Sequence, residues 1–225
     1  DRGGIVKAFE IDPAFAALLR ELFGDYKNFT LVEGDVLKTW QKETAALSEF
    51  PFLFGNLPYN IASALIAAFI ENEIDFPRMV ITVQNEVALR MAAKPGSKEY
   101  SSFSVLCAST YKVTPLMLIK GSSFFPPPNV DSRGVRLDIL PGEERPSKSG
   151  LFFPLVRSLF SSRRKTIKNN LINFAASVIV KGKAEKIALA ALEKCGLSGT
   201  MRAETLGLSE FAALAETLER LLNDE

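Results

Sequence analysis

The tetrapeptide Asn56-Leu57-Pro58-Tyr59 has the residue types needed to hold an amino group on a planar ring. It follows the short apolar run 51–55, which is typical of a buried strand, and precedes a helix-like segment that starts near Asn60. In an open α/β sheet, ligands bind at the carboxyl ends of the strands. The sequence therefore predicts an amine-binding site at one strand end.

The chemistry predicted for this site is methylation of a nucleobase amine. The Asn56 side-chain oxygen and the Leu57 carbonyl can accept the two amino hydrogens and aim the nitrogen lone pair at a methyl donor. Tyr59 can stack on the base, a contact worth about 1–3 kcal/mol. The nitrogen becomes acidic as it gains the methyl, so positioning and charge stabilisation supply the rate without a strong base. The alternative is an Asn-Pro turn with a packed tyrosine.

A second segment, 124–132, contains three consecutive prolines and reads Phe-Phe-Pro-Pro-Pro-Asn-Val-Asp-Ser. Consecutive prolines make a stiff extended loop. Such a loop can present Phe125 opposite Tyr59 and form the two-sided slot that an extruded base needs. The alternative is a rigid hairpin connection with both phenylalanines in the core.

Two acidic residues follow successive predicted strands. Glu10 can accept hydrogen bonds from both hydroxyls of a ribose, and Asp35 can accept one from an adenine amine. Each also has an ordinary alternative, a solvated strand-end acid for Glu10 and a turn or helix cap for Asp35. Together they favour a nucleoside-containing cofactor.

The elements that must position these residues alternate between strand and helix up to about residue 141, which predicts an α/β fold with a mostly parallel sheet and helices on both faces. Asp12 and Pro13 predict a helix start. Strands are predicted over 4–11, 51–55, 78–84, 113–119 and 135–140, with the last two antiparallel, and residues 30–37 are predicted to form a strand and the loop after it. A short helix is predicted over 42–47. After a polar linker, 141–148, the pattern is helical over 151–161, 163–179, 183–194 and 209–222, the last capped by Ser209.

Composition excludes several classes of site. The 225 residues include no histidine, which rules out histidine triads and imidazole metal ligands within this sequence. Cys107 and Cys195 are far apart and predict reduced thiols, as in a cytoplasm. No apolar stretch reaches the roughly 20 residues of a membrane span.

The charge is concentrated in one segment. The whole chain has a net charge of +1, yet residues 157–186 contain eight basic residues and one acidic residue. A local excess of this kind predicts contact with phosphates. The candidates are Arg163, Arg164, Lys165 and Lys168, at the start of a predicted helix; the alternative is a solvated charged face.

Five segments together resemble the KsgA family of ribosomal RNA small-subunit adenine dimethyltransferases: 56–61, 84–90, 125–132, 163–167 and 201–204. The resemblance covers nearly the whole chain. It implies a Rossmann-like class I methyltransferase domain over 1–141 and a small all-α RNA-binding domain over 149–225. It also implies S-adenosylmethionine as methyl donor and two adjacent adenosines near the 3′ end of 16S rRNA as substrate, each becoming N6,N6-dimethyladenosine.

The resemblance assigns roles to particular residues. Glu10 would hold the cofactor ribose and Asp35 its adenine, with Ile11 and Val36 beside them. Asn56 would reach both cofactor and target amine, and Tyr59 and Phe125 would flank the base. The partner would be rRNA in an immature ribosomal subunit, and we expect a cytoplasmic monomer without a metal.

One departure from the family is large. Its glycine-rich loop and the strand beside that loop belong before Gly4 and are not in this sequence. We therefore expect a fragment in which the strands of Glu10 and Asn56 have unpaired edges, and which by itself binds the cofactor poorly.

Two alternatives to this function are open. One is a large-subunit rRNA adenine methyltransferase of the antibiotic-resistance type, whose proline-rich loop and tail differ from those here. The other is a non-catalytic RNA-binding assembly factor, which would not need an amine-holding tetrapeptide.

Overall fold

A computed structural model describes residues 3–43, 47, 49–146, 149–178 and 183–223. Strands occupy the first part of the chain: β1 (Val6–Glu10), β2 (Phe29–Glu33), β3 (Phe52–Asn56), β4 (Arg78–Gln84), β5 (Tyr111–Ile119) and β6 (Ser132–Ile139). Five helices described there are α1 (Pro13–Phe23), α2 (Val36–Thr39), α3 (Ala62–Glu71), α4 (Asn85–Met91) and α5 (Ser102–Ala108). From residue 149 onward, a part here named the tail, the described helices are α6 (Phe152–Phe160), α7 (Ile167–Val178), α8 (Ala184–Lys194) and α9 (Leu208–Asn223).

Helix α1 begins where the sequence predicted. Pro13 is its first residue, and the Asp12 side chain accepts hydrogen bonds from the backbone N–H groups of Ala14 and Phe15. A proline at this position forfeits no helical hydrogen bond, and the aspartate satisfies two donors that the first turn leaves unpaired.

The strands form two separate hydrogen-bonded groups. Strands β1 and β2 pair in parallel, and the other group has the order β3-β4-β6-β5. In that group β3 and β4 are parallel, whereas β6 runs antiparallel to both β4 and β5. The α/β class is confirmed, and so is the antiparallel closing pair.

A cavity separates the two strand groups. Among the described residues, β1 pairs only with β2 and β3 only with β4, so each has one unpaired edge. Residues of both strands, including Phe9 and Phe52, line the cavity between them. The unpaired edges expected from the resemblance are therefore present. Apolar side chains around them are exposed to solvent: Ile5 is 72% exposed and Phe54 74%.

The described core has two parts. One lies around the four-stranded group and includes Met79, Val83 and Leu137, all 0% exposed. The other unites α5 with the tail helices. The Tyr100 hydroxyl donates to the Leu206 carbonyl at 3.0 Å, and burial is the main cause that raises the pKa of Tyr100 to about 12.

Polar contacts also cross between the two parts. Arg145 bonds to Asp75 at 2.5 Å, and Arg157 pairs with Glu71 on α3. The predicted linker 141–148 is thus tied to the strand-bearing part through Arg145, although positions 147 and 148 lie outside the described residues. The domain limits 1–141 and 149–225 stay predictions.

Two helix starts were predicted at the wrong residue. Helix α7 begins at Ile167 instead of residue 163, because 161–165 form a turn. Helix α9 begins at Leu208, so Ser209 lies inside it, and the Glu210 side chain accepts from the Gly207 N–H at 2.6 Å. Asp35 follows β2, as predicted, and caps α2.

The predicted helix over 42–47 can be compared with the structure only in part. Residues 42 and 43 belong to a short 3-10 turn, and 44–46 lie outside the described residues. Of the helices in the described part of the chain, none has both the length and the apolar character that crossing a membrane requires.

Candidate active site

Asn56 stands at the junction of two neighbouring cavities. The first, here named the acidic cavity, has a volume of about 490 Å³ and is lined by Glu10, Asp35 and Asn56, among others. The second, the aromatic cavity, has a volume of about 280 Å³ and is lined by Asn56, Tyr59 and Phe125, among others. Leu57 and Pro58 also line both cavities. The first three residues of the tetrapeptide therefore form a wall that the two cavities share.

The local backbone explains how the tetrapeptide is held. Asn56 ends β3, and the Leu57 N–H donates to the Thr82 carbonyl of β4 at 3.1 Å. The Pro58 carbonyl then accepts from the N–H groups of Ile61 and Ala62, which starts α3. Both ends of the turn are thus fixed by regular structure.

Two acceptors remain unused at this turn. Within the described part of the chain, neither the Asn56 side-chain oxygen nor the Leu57 carbonyl accepts a hydrogen bond, and Asn56 is exposed. These are the two atoms to which the sequence analysis assigned an amino group. The geometry leaves both free to bind one.

The aromatic cavity brings Tyr59 and Phe125 together. Tyr59 is half-buried, and its hydroxyl lies 2.6 Å from the Ser132 hydroxyl. Phe125 is 99% exposed, which contradicts the alternative that placed it in the core. An exposed phenyl ring on a cavity wall is suited to stacking with a planar ligand.

The proline-rich loop that carries Phe125 is anchored at its base. The Asp131 carboxylate accepts from the Gly121 N–H and from the Lys120 ammonium, each at 3.1 Å. The hydrogen bond from the Gly121 N–H is the larger cause that lowers the pKa of Asp131, and the bond from the Lys120 ammonium is the next. Gly121 also permits close packing, because a side-chain carbon there would lie 2.7 Å from the Pro128 carbonyl oxygen.

The two acids of the acidic cavity are partly engaged by their own backbone. One carboxylate oxygen of Glu10 accepts from the Asp12 N–H at 2.8 Å. One oxygen of Asp35 caps α2 by accepting from the Leu37 N–H at 3.0 Å, so the helix-cap alternative is realised. The second oxygen of Asp35 lies 3.8 Å from the exposed Lys38 ammonium. Ile11 and Val36 line the same cavity, so the whole predicted cofactor set is brought together there.

The four predicted RNA contacts are not equivalent. Arg163 pairs with Glu204 at 2.9 Å and also donates to the Lys98 carbonyl at 3.2 Å. Lys168 lies 3.8 Å from a Glu185 carboxylate oxygen. Arg164 and Lys165 are exposed and have no ion pair among the described residues. Of these four predicted contacts, Arg164 and Lys165 are the most available to a phosphate.

The sequence analysis missed two polar partners of these sites. Ser132 was assigned no role, although it bonds to Tyr59. Asn170 is 2% exposed, and its side-chain N–H group donates to the Leu159 and Ser162 carbonyls, which fixes the turn of Arg164 and Lys165. A signal for Asn170 existed, since an amide in a helix directly after a basic run has nearby carbonyls to bind. Ser132 gave none.

Comparison with known proteins identifies a family. A family model described as ribosomal RNA adenine dimethylase matches residues 5–209. A protein of Treponema denticola named ribosomal RNA small subunit methyltransferase A is 43% identical, over 98% of this chain and 75% of that protein. The proteins of that name from Treponema pallidum and Borreliella afzelii are 39% and 38% identical, over 95% of this chain and 73% and 71% of their own lengths.

Solved structures agree with this match. A dimethyladenosine transferase from Plasmodium falciparum aligns with a TM-score of 0.77 at 27% identity, covering 96% of this chain and 82% of its own. The 23S rRNA methyltransferase ErmE aligns with a TM-score of 0.58 at 22% identity, with the same coverages. The second likeness is one of fold.

Proposed function

The chain belongs to the ribosomal RNA adenine dimethylase family, and we propose that it transfers methyl groups from S-adenosylmethionine to two adjacent adenosines near the 3′ end of small-subunit (16S) rRNA. Each exocyclic amine receives two methyl groups and becomes N6,N6-dimethyladenosine. The observation that carries the proposal is the position of Asn56 and Leu57 on the wall between the acidic and aromatic cavities.

The acidic cavity suits the cofactor. Its volume is within the range of small-molecule sites. The carboxylate oxygens of Glu10 and Asp35 that hold no backbone N–H can accept from the ribose hydroxyls and the adenine amine, while Ile11 and Val36 offer apolar contact. At Asp35 the adenine amine would share that oxygen with the exposed Lys38 ammonium, 3.8 Å away. When bound, S-adenosylmethionine would supply an electrophilic methyl group, whose bond to sulfur breaks as its bond to the amine nitrogen forms.

The aromatic cavity suits the target base. Tyr59 and Phe125 would lie against its two faces, and Asn56 and Leu57 would accept the two amino hydrogens. These acceptors stabilise the positive charge that develops on the nitrogen as its bond to the methyl forms. The methylated nitrogen then releases a proton to solvent. In the second round the amine carries one hydrogen, so one acceptor suffices.

The tail would bind the RNA backbone. Arg164 and Lys165 are exposed on a turn that Asn170 fixes, and we assign them direct phosphate contacts. Arg163 and Lys168 would contribute less because carboxylates already lie beside them. The substrate would be an immature ribosomal subunit in the cytoplasm, and the protein would act as a monomer.

The test of this function is methyl transfer by the full-length protein. Labelled S-adenosylmethionine and immature small subunits should give label in the RNA, and Asn56→Ala should abolish it while subunit binding persists. Asn60→Ala is the matched control, since Asn60 is an exposed asparagine that lines neither cavity.

Two results would contradict the proposal. One is label retained by Asn56→Ala at the level of Asn60→Ala. The other is tight subunit binding without any label from the unaltered protein, which would support the non-catalytic assembly factor.

A further inference from the structure

The walls of the aromatic cavity come from distant parts of the chain. Tyr59 lies on the turn after β3, and Phe125 lies on the loop between β5 and β6. A base held between the two rings keeps a constant orientation only if the rings keep their separation and angle. This requires a connection between the turn and the elements that carry the loop.

A hydrogen bond between two hydroxyls provides that connection. Tyr59 Oη and Ser132 Oγ lie 2.6 Å apart, within the range of a short O–H···O bond. Ser132 is 0% exposed, so its hydroxyl depends on a protein partner. Within the described part of the chain, its side chain bonds to Tyr59 alone.

Ser132 is itself held on several sides. In the sheet it is paired with Gln84 of β4 and with Ile119 of β5. The preceding carbonyl, that of Asp131, accepts from the Asn85 N–H at 2.9 Å. The Ser132 hydroxyl is therefore a fixed point on the interior of the sheet.

We propose that Ser132 is a positioning residue for methyl transfer. It would not touch the base; it would fix the ring of Tyr59 through the phenolic hydroxyl. A ring without this bond can swing, and the stacked base then turns its amine away from Asn56 and Leu57. Such misalignment lowers kcat more than it changes KM, because it affects the reactive geometry. The inference depends on the proposed role of the aromatic cavity.

Three variants of the full-length protein test the connection: Ser132→Ala, Tyr59→Phe and the two combined. Each single change removes one hydroxyl and keeps an aromatic ring at position 59. We expect kcat on immature small subunits to fall about two- to tenfold. The double variant should lose no more than either single one, since both remove the same bond. Tyr59→Phe also covers the case in which Ser132→Ala fails to fold.

A second readout reports on the base directly. RNA with the fluorescent base 2-aminopurine at the target position should be quenched by stacking when the protein binds it. Ser132→Ala should weaken the quenching at saturating protein while RNA affinity is unchanged. Ser109→Ala is the matched control, because Ser109 is also 0% exposed and donates a hydrogen bond to the Leu106 carbonyl at 2.8 Å, but neither Leu106 nor Ser109 belongs to the wall of the aromatic cavity.

The outcomes separate this inference from the proposed function. Unaltered kcat and quenching in Ser132→Ala would overturn the inference alone, as would equal losses in Ser109→Ala or additive losses in the double variant. If the unaltered protein transfers no methyl group, the proposed function fails and the inference fails with it.

Discussion

The aromatic and acidic cavities share a wall but are supported differently. Tyr59 and Phe125 are connected to the four-stranded group through Ser132 and Asp131. Ser132 lies on β6, which pairs with β4 on one side and with β5 on the other. Glu10 lies on the two-stranded group, whose β1 has an unpaired edge among the described residues. The aromatic cavity is thus connected to the sheet, while the acidic cavity depends on one strand pair and local caps.

This difference shows how the two proposed binding functions can be separated in one site. Asn56 and Leu57 belong to β3 and the turn after it, so they are fixed by the four-stranded group, and they line both cavities. We expect changes in the four-stranded group to affect the whole fold and changes around β1 to affect chiefly the acidic cavity.

The largest expected effect is on stability. Leu137→Ala empties a 0% exposed position on β6, and cavity formation should lower the free energy of unfolding by about 2–5 kcal/mol. Leu22→Ala, the same change on α1 where the side chain is 54% exposed, should cost less than about 0.5 kcal/mol. Urea denaturation measures both. Similar losses would mean that the two strand groups are equally well packed.

The next effect separates the two ligands. Tyr59→Ala should weaken binding of the target base by about 1–3 kcal/mol, the value of a lost stacking contact, with cofactor affinity unchanged. Glu10→Gln should do the reverse and weaken cofactor binding by about 1.5–3 kcal/mol, because it replaces a charged acceptor with a neutral one. Calorimetry with S-adenosylmethionine and fluorescence with RNA, both on the full-length protein, measure the two affinities.

A matched control for Glu10→Gln is Glu21→Gln, on an exposed helical position that does not line the acidic cavity. If Tyr59→Ala lowers cofactor affinity as much as Glu10→Gln does, the two cavities act as one site and the comparison fails.

The sequence predicted the elements better than the contacts between them. Strand β4 was predicted with its observed limits, and the Asp12 cap was found because its signal is local. The hydrogen bond of Tyr59 to Ser132 joins positions that are 73 residues apart. No local sequence pattern indicates that these two side chains are partners. Arg163 was grouped with its basic neighbours because its partner, Glu204, is 41 residues away.

The structure accordingly revises the prediction for the basic turn. Replacing Arg164 and Lys165 with alanine should reduce the slope of RNA affinity against salt by up to about two units, one for each phosphate contact. Arg163→Ala should change the slope less and lower the stability of the tail, since it breaks the bonds to Glu204 and Lys98. Filter binding over a salt series measures the slope. Both cavities should keep their ligand affinities, and a larger slope change from Arg163→Ala would refute the distinction.

The smallest effect is the pH dependence of the proline-rich loop. Asp131 has a lowered pKa in the folded protein because the Gly121 N–H and the Lys120 ammonium bind its charged form. A group whose pKa is lowered on folding contributes stability above its unfolded pKa, about 3.9 for aspartate, and that contribution is lost as the pH falls through the folded value.

Asp131→Asn should therefore lower the urea midpoint at pH 7 and leave it nearly unchanged at a pH below the folded pKa, where the native carboxyl is also neutral. Asp25→Asn is the control, since Asp25 is exposed and accepts no hydrogen bond from the described residues. A difference between Asp131→Asn and the native protein that persists undiminished in acid would mean that the charge of Asp131 does not anchor the loop. The aromatic cavity would then be held in place by Ser132 and the strand pairing alone.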